Sequence, residues 1–407
     1  MTIGTTGFIG ERLVEAREAR GLSNSSFAEL LDVVSPQAIS QYERGKVSPR
    51  PEVLQLIADK LNLPERFFLR PVGRQSHETL FWRSLSSATK AARMKGRRRF
   101  DWLKEIVDYL RSHLDFPAIN LPNLSMPSDV LRLNAAMIED AASECREYWR
   151  IGDGPIADLI LFLENNGVIV CRSNLGAEKL DAFSQWSILD GTPYIFLTAD
   201  KQSAARSRLD AAHELAHLVL HRDVHPKQFA NTKTNKILEE QAFRFASAFL
   251  LPAGSFSSEL WMPTLDAFRS LKERWRVSVG AMIKRSHELE LLSDDEAKRM
   301  WINYNRRNWR KVEPLDDRLQ PEQPRLLRRC FDLLVQERIR TRDQIRLDLP
   351  YSVGDIEELA ALPRGFLTGD VLELPVSPKI KSKPDAEQPD DARATLIPFG
   401  KRSIPNG

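Results

Sequence analysis

The sequence predicts a mostly helical α+β protein: an all-α N-terminal head, a body in which a small sheet precedes helices, and more helices towards the C-terminus. Three observations predict it. Closely spaced caps, prolines and glycines divide residues 8–70 into short helices. Short β-type runs, two of them separated by Asp190-Gly191, fall between residues 168 and 198. Long amphipathic stretches follow, and the one after the sheet carries His213-Glu214-Leu215-Ala216-His217.

At 407 residues the chain has room for two or three domains, each with its own core. Lys and Arg number 59 against 56 Asp and Glu, so affinity for nucleic acid requires a local patch rather than bulk charge. Cys145, Cys171 and Cys330 form no CxxC pair, which excludes a disulfide framework and a thiolate zinc site and fits a reducing cytoplasm. No apolar run approaches the roughly 18 residues of a membrane span, and no signal-peptide core opens the chain. The expectation is a soluble cytoplasmic protein with no membrane partner.

The head is expected over residues 8–73. Phe8–Arg20 forms the first helix, with Gly21 just past its end. Ser23 caps a second helix through Phe27, Ala28, Leu30 and Leu31. Ser35-Pro36 opens a third, Gln37–Arg44, which stops at Gly45, and Pro51 opens a fourth. Two short helices joined by a tight turn and flanked by supports make a helix-turn-helix. The third helix keeps Ala38 and Ile39 for the core and turns polar groups outward. Its candidate DNA contacts are Ser35, Gln37, Ser40, Gln41 and Arg44, because Gln reads adenine bidentately and Arg reads guanine or phosphate. The run SQYERGKVSP, from this helix into the next loop, resembles the XRE (Cro-type) repressor domain. That resemblance implies double-stranded DNA as a partner, and paired half-sites suggest a homodimer. A helical bundle used for protein contacts is the competing reading.

Residues 74–128 read as a basic helical linker. Arg83 to Arg99 holds seven Lys or Arg and no acid, suited either to phosphates or to a solvated helix face. Asp101–His113 continues as an amphipathic helix, and a boundary is placed in the Pro117–Pro127 stretch.

The body is expected over residues 129–300, with helices at 130–150 and Pro155–Asn166, a strand at Val168–Cys171, and a hairpin of Phe183–Leu189 and Pro193–Thr198. The next helix, Ser203–His221, holds the HExxH sequence. Four residues is about one helical turn, so His213 and His217 share a face and can hold one metal ion. Glu214 lies one step round, placed to act as a base on a water there. This is a zincin-like arrangement, and a catalytic zinc needs a third protein ligand. His221 sits a further turn along a rigid helix and is expected as a support or a surface residue; His225 falls beyond the helix. In the following helix, Glu239 shares the packed stripe with Ala242, Phe243 and Ala246, and a buried acid needs a partner. Glu239 is therefore the chosen third ligand. Glu240, facing Arg244, is the reserve.

The runs DAAHELAHLVLH and EEQAFRFASAFLLP resemble the ImmA/IrrE family of metallo-endopeptidases over roughly residues 155–300. The resemblance implies zinc held by His213, His217 and Glu239, with Glu214 as catalytic acid/base, and a regulatory protein such as a repressor as substrate. Phe243 stands where that family often has asparagine or histidine. Residues 301–370 read as a C-terminal helical region, with Trp275 and Val279 as core just before it. Residues 371–407, rich in Pro, Lys, Asp and Ala, read as a disordered tail. The expected whole is a DNA-binding transcriptional regulator with a zinc-dependent endopeptidase domain. Two other readings use the same residues: a regulator whose zincin-like domain is a non-catalytic sensor, and an antitoxin-like protein-binding module.

Overall fold

Local chemistry sets the head. Helices α1 (Gly10–Ala19), α2 (Asn24–Leu31), α3 (Pro36–Glu43) and α4 (Pro51–Leu61) are followed by a 3-10 turn, Glu65–Leu69. Ser23 Oγ accepts the Ser26 N–H and Ser35 Oγ the Ala38 N–H, while prolines open α3 and α4. Gly10 lets α1 start against the end of α3, since a Cβ there would lie 2.2 Å from the Tyr42 carbonyl oxygen. The computed structural model describes residues 4–73, 81–82, 89–127, 129–176, 182–199, 203–225, 228–229 and 231–369. The tail at 371–407 and residues 83–88 of the basic run lie outside the described residues.

Four strands form one sheet in the order β1-β3-β4-β2: β1 (Phe81–Trp82), β2 (Ile169–Ser173), β3 (Ala182–Trp186) and β4 (Pro193–Thr198). β3 and β4 are the expected antiparallel hairpin, with Ser184 opposite Ile195; β2 joins β4 in parallel. The parallel pair and β1 have no counterpart in the sequence reading. All six residues of β4 are buried, as in a sheet covered on both sides.

Those two sides face different cores. Ala182, Ile195, Leu197 and Val170 pack with α6 (Ala135–Tyr148), α7 (Leu159–Asn165), α8 (Ala204–Leu220) and α9 (Thr232–Leu250). Phe183, Phe196, Ile169 and Cys171 face the other way, into a core shared with the head and the C-terminal helices. Helix α5 (Lys90–Arg111), from the segment read as a linker, lies between them. Its Phe100 packs edge-on against Phe183 and Tyr194, with ring centroids 5.5 and 5.3 Å apart, and its Trp102 meets Phe67 of the head at 5.8 Å. Arg99 reaches Asp355 at 3.0 Å and Glu358 at 2.8 Å, and Arg20 of the head reaches the same Asp355 at 2.6 Å. The described residues belong to one compact unit.

The chain continues through α10 (Ala253–Glu259), α11 (Leu265–Trp275), α12 (Val279–Glu288), α13 (Asp294–Arg306), α14 (Leu326–Gln336), α15 (Arg342–Asp348) and α16 (Val353–Leu359). Trp275 and Val279 are buried, in line with the sequence reading. Among the described residues no helix is long and apolar enough to cross a membrane.

Candidate metal centre

Helix α8 is buried on nearly every side, so its polar residues sit inside the protein rather than along a wet stripe. Small residues accompany this: Ala211, Ala212 and Ala216 on α8 and Ala242 and Ala246 on α9 are all buried in the core that the two helices share. The packing turns Glu239 towards the two imidazoles. His213 Nε2 lies 3.2 Å from Glu239 Oε2, His217 Nε2 lies 3.4 Å from Glu239 Oε1, and the two ring nitrogens are 3.1 Å apart. One donor atom from each residue falls within 4.8 Å of the others. Both histidines are fully buried, and the Glu239 side chain is 15% exposed, so the cluster has a rim. Glu240 is well exposed, and its ion pair, at 3.8 Å, is with Lys236 rather than with Arg244, which meets Glu139.

The hydrogen-bond pattern around His217 fixes its tautomer. Gln241 Nε2 donates to the carbonyl oxygens of Val130 (2.8 Å) and Leu133 (3.4 Å), which can only accept. Its Oε1 therefore faces His221 Nε2, 3.1 Å away, and that nitrogen must carry a proton. Burial, reinforced by His217, holds the His221 pKa well below the usual imidazole range, so the ring is neutral and its Nδ1 accepts. The 2.8 Å contact between His221 Nδ1 and His217 Nδ1 then places a proton on His217 Nδ1. What remains for the cluster is the His217 Nε2 lone pair, the form in which imidazole binds a metal. Two imidazoles and a carboxylate are also the donor types zinc takes in hydrolytic sites. The residues fit a metal ion.

Residues 163–287 match the family model of the IrrE N-terminal-like domain, and residues 13–68 match that of the helix-turn-helix. The chain joins these two domains. A comparison with curated proteins finds no match to it. The IrrE-like match spans β2 to α12 and includes His213, His217 and Glu239. It makes this part of the chain metallopeptidase-like and implies a metal.

Within the IrrE-like domain, Glu214 is fully buried next to His213, and its Oε2 accepts a hydrogen bond from the Ser184 hydroxyl at 2.6 Å. Strand β3 therefore runs beside the site. Phe243 stacks edge-on against the His213 ring at 4.4 Å, and the Lys284 ammonium lies 5.1 Å over Phe243. Of the other candidates, His221 is a buried support and His225 is exposed beyond α8. Sequence reasoning missed Gln241 and Ser184. Gln241 lies two residues from Glu239, yet a glutamine in a helix carries no signal of burial by itself; Ser184 is merely a small polar residue in a strand.

In the helix-turn-helix domain, Gln37, Gln41 and Arg44 are exposed on or just after α3, with Lys46 and Arg50 exposed nearby. Ile39 is the fully buried residue of that helix. Ser35 serves as its N-cap, and Ser40 is half-buried, 3.5 Å from the Asn24 side-chain amide. Among the described residues the head meets the body through α1 and the Glu65–Leu69 turn, away from the exposed outer residues of α3.

Proposed function

We propose that the chain is a DNA-binding regulator whose body is a zinc-dependent endopeptidase acting on a regulatory protein such as a repressor. The observation that carries the reading is the convergence of His213, His217 and Glu239 beside a buried Glu214. His213, His217 and Glu239 are the residues that would hold the ion. When bound, zinc supplies Lewis acidity that makes a water more acidic and polarises a carbonyl. Glu214 is the general base and acid. Its carboxylate, oriented by the Ser184 hydroxyl, takes the proton of the attacking water and returns it to the amide nitrogen as the C–N bond breaks. Burial of Glu214 keeps bulk water from competing for that proton. On the head, Gln37, Gln41 and Arg44 enter the major groove of double-stranded DNA, Ser40 lends a minor contact, and Ser35 approaches a phosphate at the start of α3. Two-fold operators make a homodimer the expected DNA-bound form. The domain division follows: a reading head at 8–73, a joining segment at 74–128, a peptidase domain at 129–300 and a C-terminal helical region at 301–370.

The test is co-expression with the products of neighbouring genes, wild type against Glu214→Gln, with mass spectrometry for new termini. The wild type yields a cleaved partner. Glu214→Gln retains zinc and lowers cleavage by roughly 10²–10⁴-fold, the usual effect of losing a general acid-base group. Undiminished cleavage removes Glu214 from the mechanism.

A further inference from the structure

A cavity of about 770 Å³ opens where the sheet, α14 and α16 meet. Asn174 and Ala199, which follow the parallel strands β2 and β4, line it, so it lies at the carboxyl end of that pair. Open α/β sheets take their ligands in crevices outside the carboxyl ends of the strands, and this volume suits a small organic molecule. Four arginines line it: Arg172 of β2, and Arg325, Arg328 and Arg329 around the start of α14. Arg172 is the unusual one. Its guanidinium donates to the Glu322 carbonyl oxygen at 2.9 Å, but its Nε is buried and has no hydrogen-bond partner among the described residues. The Glu322 carboxylate goes instead to Arg208 and to the N–H groups of Leu159 and Ile160. Burial holds the Arg172 pKa below the usual guanidinium range, and Glu322 only partly offsets it. The acids of the lining are already engaged. Glu357 accepts the Gly365 and Leu367 N–H groups, Glu358 binds Arg99, Ser173 and Asn174, and Asp332 lies 3.7 Å from Arg328. Arg325 meets Asp158 at 3.1 Å, whereas Arg329 is exposed and has no ion pair among the described residues.

We propose that this cavity binds a phosphorylated small molecule, with the phosphate held by Arg172 and Arg329 and with Arg325 and Arg328 beside it. A guanidinium presents paired N–H donors that match phosphate oxygens, and a cation taken out of water without a counter-ion is costly. The anion supplies the acceptor that Arg172 Nε lacks. A recessed site fits a small molecule better than the convex backbone of DNA. The lining shares no residue with the metal cluster or with α3, so the inference does not depend on the endopeptidase reading. It does include Glu358, and Asp355, one turn earlier on α16, ties Arg20 of the head to Arg99 of α5. The bound molecule therefore sits against the helix that joins head to body.

The test titrates the metal-free full chain with inorganic phosphate and with AMP, at ionic strength matched by chloride, and reads calorimetric binding and the thermal unfolding midpoint. Both probes are expected to bind saturably and to raise the midpoint. Tighter binding of AMP assigns the site to an organic phosphate ester, and equal or tighter binding of inorganic phosphate assigns it to the free ion. Arg172→Gln and Arg329→Gln are each expected to weaken binding about tenfold or more, the usual effect of losing a hydrogen bond to a charged group. Arg329 is exposed, so its variant decides the matter where Arg172→Gln fails to fold. Three results overturn the proposal. One is no saturable binding of either probe. Another is binding lost in Arg44→Gln but kept in both cavity variants, which places the phosphate on the helix-turn-helix. The third is a lower midpoint for Arg172→Gln by the same amount with and without phosphate, which makes that arginine purely structural.

Discussion

Two of this molecule's buried polar clusters are built on opposite principles. At the seam between head and body each charge meets its opposite: Arg12 contacts Glu15 at 2.9 Å and Glu105 at 3.3 Å, and Arg20 and Arg99 share Asp355. Trp102 adds its indole N–H to Glu15 at 2.6 Å. At the metal centre two imidazoles converge on a carboxylate, one of them with its proton turned away and its lone pair turned in. The seam is satisfied from within, whereas the centre is complementary to a cation. A buried polar group therefore points to function only once the sign and hydrogen-bonding valence of its neighbours are known.

The largest effect that separates the clusters is at Glu239. Glu239→Ala is expected to reduce bound zinc, measured by elemental analysis after gel filtration, to a small fraction of the wild-type content. Glu240→Ala, one residue away and exposed, is expected to leave it unchanged. Equal zinc in both variants would sever Glu239 from the site. At the seam the counterpart is Asp355. Burial alone would raise its pKa, but Arg20 and Arg99 outweigh burial and hold the carboxylate below its usual range. Asp355→Ala leaves two guanidinium groups without their shared partner. It is expected to cost about 3–5 kcal/mol in urea unfolding while zinc content stays at the wild-type level.

The same seam carries a pH dependence. Burial, opposed by Arg12, pushes the Glu15 pKa up to about 7 from an ordinary 4.5. A group whose folded pKa is raised contributes stability at low pH and loses it as pH rises from its unfolded pKa through the folded one. The wild type is therefore expected to lose on the order of 2–3 kcal/mol relative to Glu15→Gln between pH 4.5 and 7.5, read from unfolding curves at each pH. A difference that is flat across this window would show that Glu15 stays ionised against Arg12.

The features legible in the sequence were those written over a turn or two. His213 and His217 are one turn apart, Glu239 follows the packed stripe of its helix, and Ser23, Ser35, Pro36 and Pro51 mark helix starts through their own backbones. What stayed hidden joins residues far apart in sequence. Arg99 reads as one cation in a basic run, yet it is nearly buried because it pairs with Asp355, 256 positions away. The sheet is covered on both faces by cores from different parts of the chain, so its strands show no alternation to betray which residues face α8. Strand β1 is two residues long, too short for any periodicity. Ser184 and Gln241 acquire meaning only through groups brought to them by folding.

Gln241 gives the subtlest test, because it touches no ligand of the proposed ion and acts only through His221. Gln241→Leu removes the acceptor that holds the proton on His221 Nε2. His221 is then free to take the other tautomer, with Nδ1–H aimed at His217, and His217 can respond only by moving its own proton to Nε2, inside the cluster. Zinc binding would have to reverse that shift, so affinity in chelator competition is expected to fall about 10–100-fold, the usual cost of losing an outer hydrogen bond to a metal-bound histidine. Gln241→Glu keeps an acceptor at His221 Nε2 but gives up the donation to Val130 and Leu133, and is expected to fall between the two. Nitrogen chemical shifts of the His217 ring in the metal-free protein separate this relay from simple loss of packing. The wild type is expected to show a protonated Nδ1, and Gln241→Leu a mixture of tautomers. An unchanged ring with weakened zinc binding would assign Gln241 to packing alone.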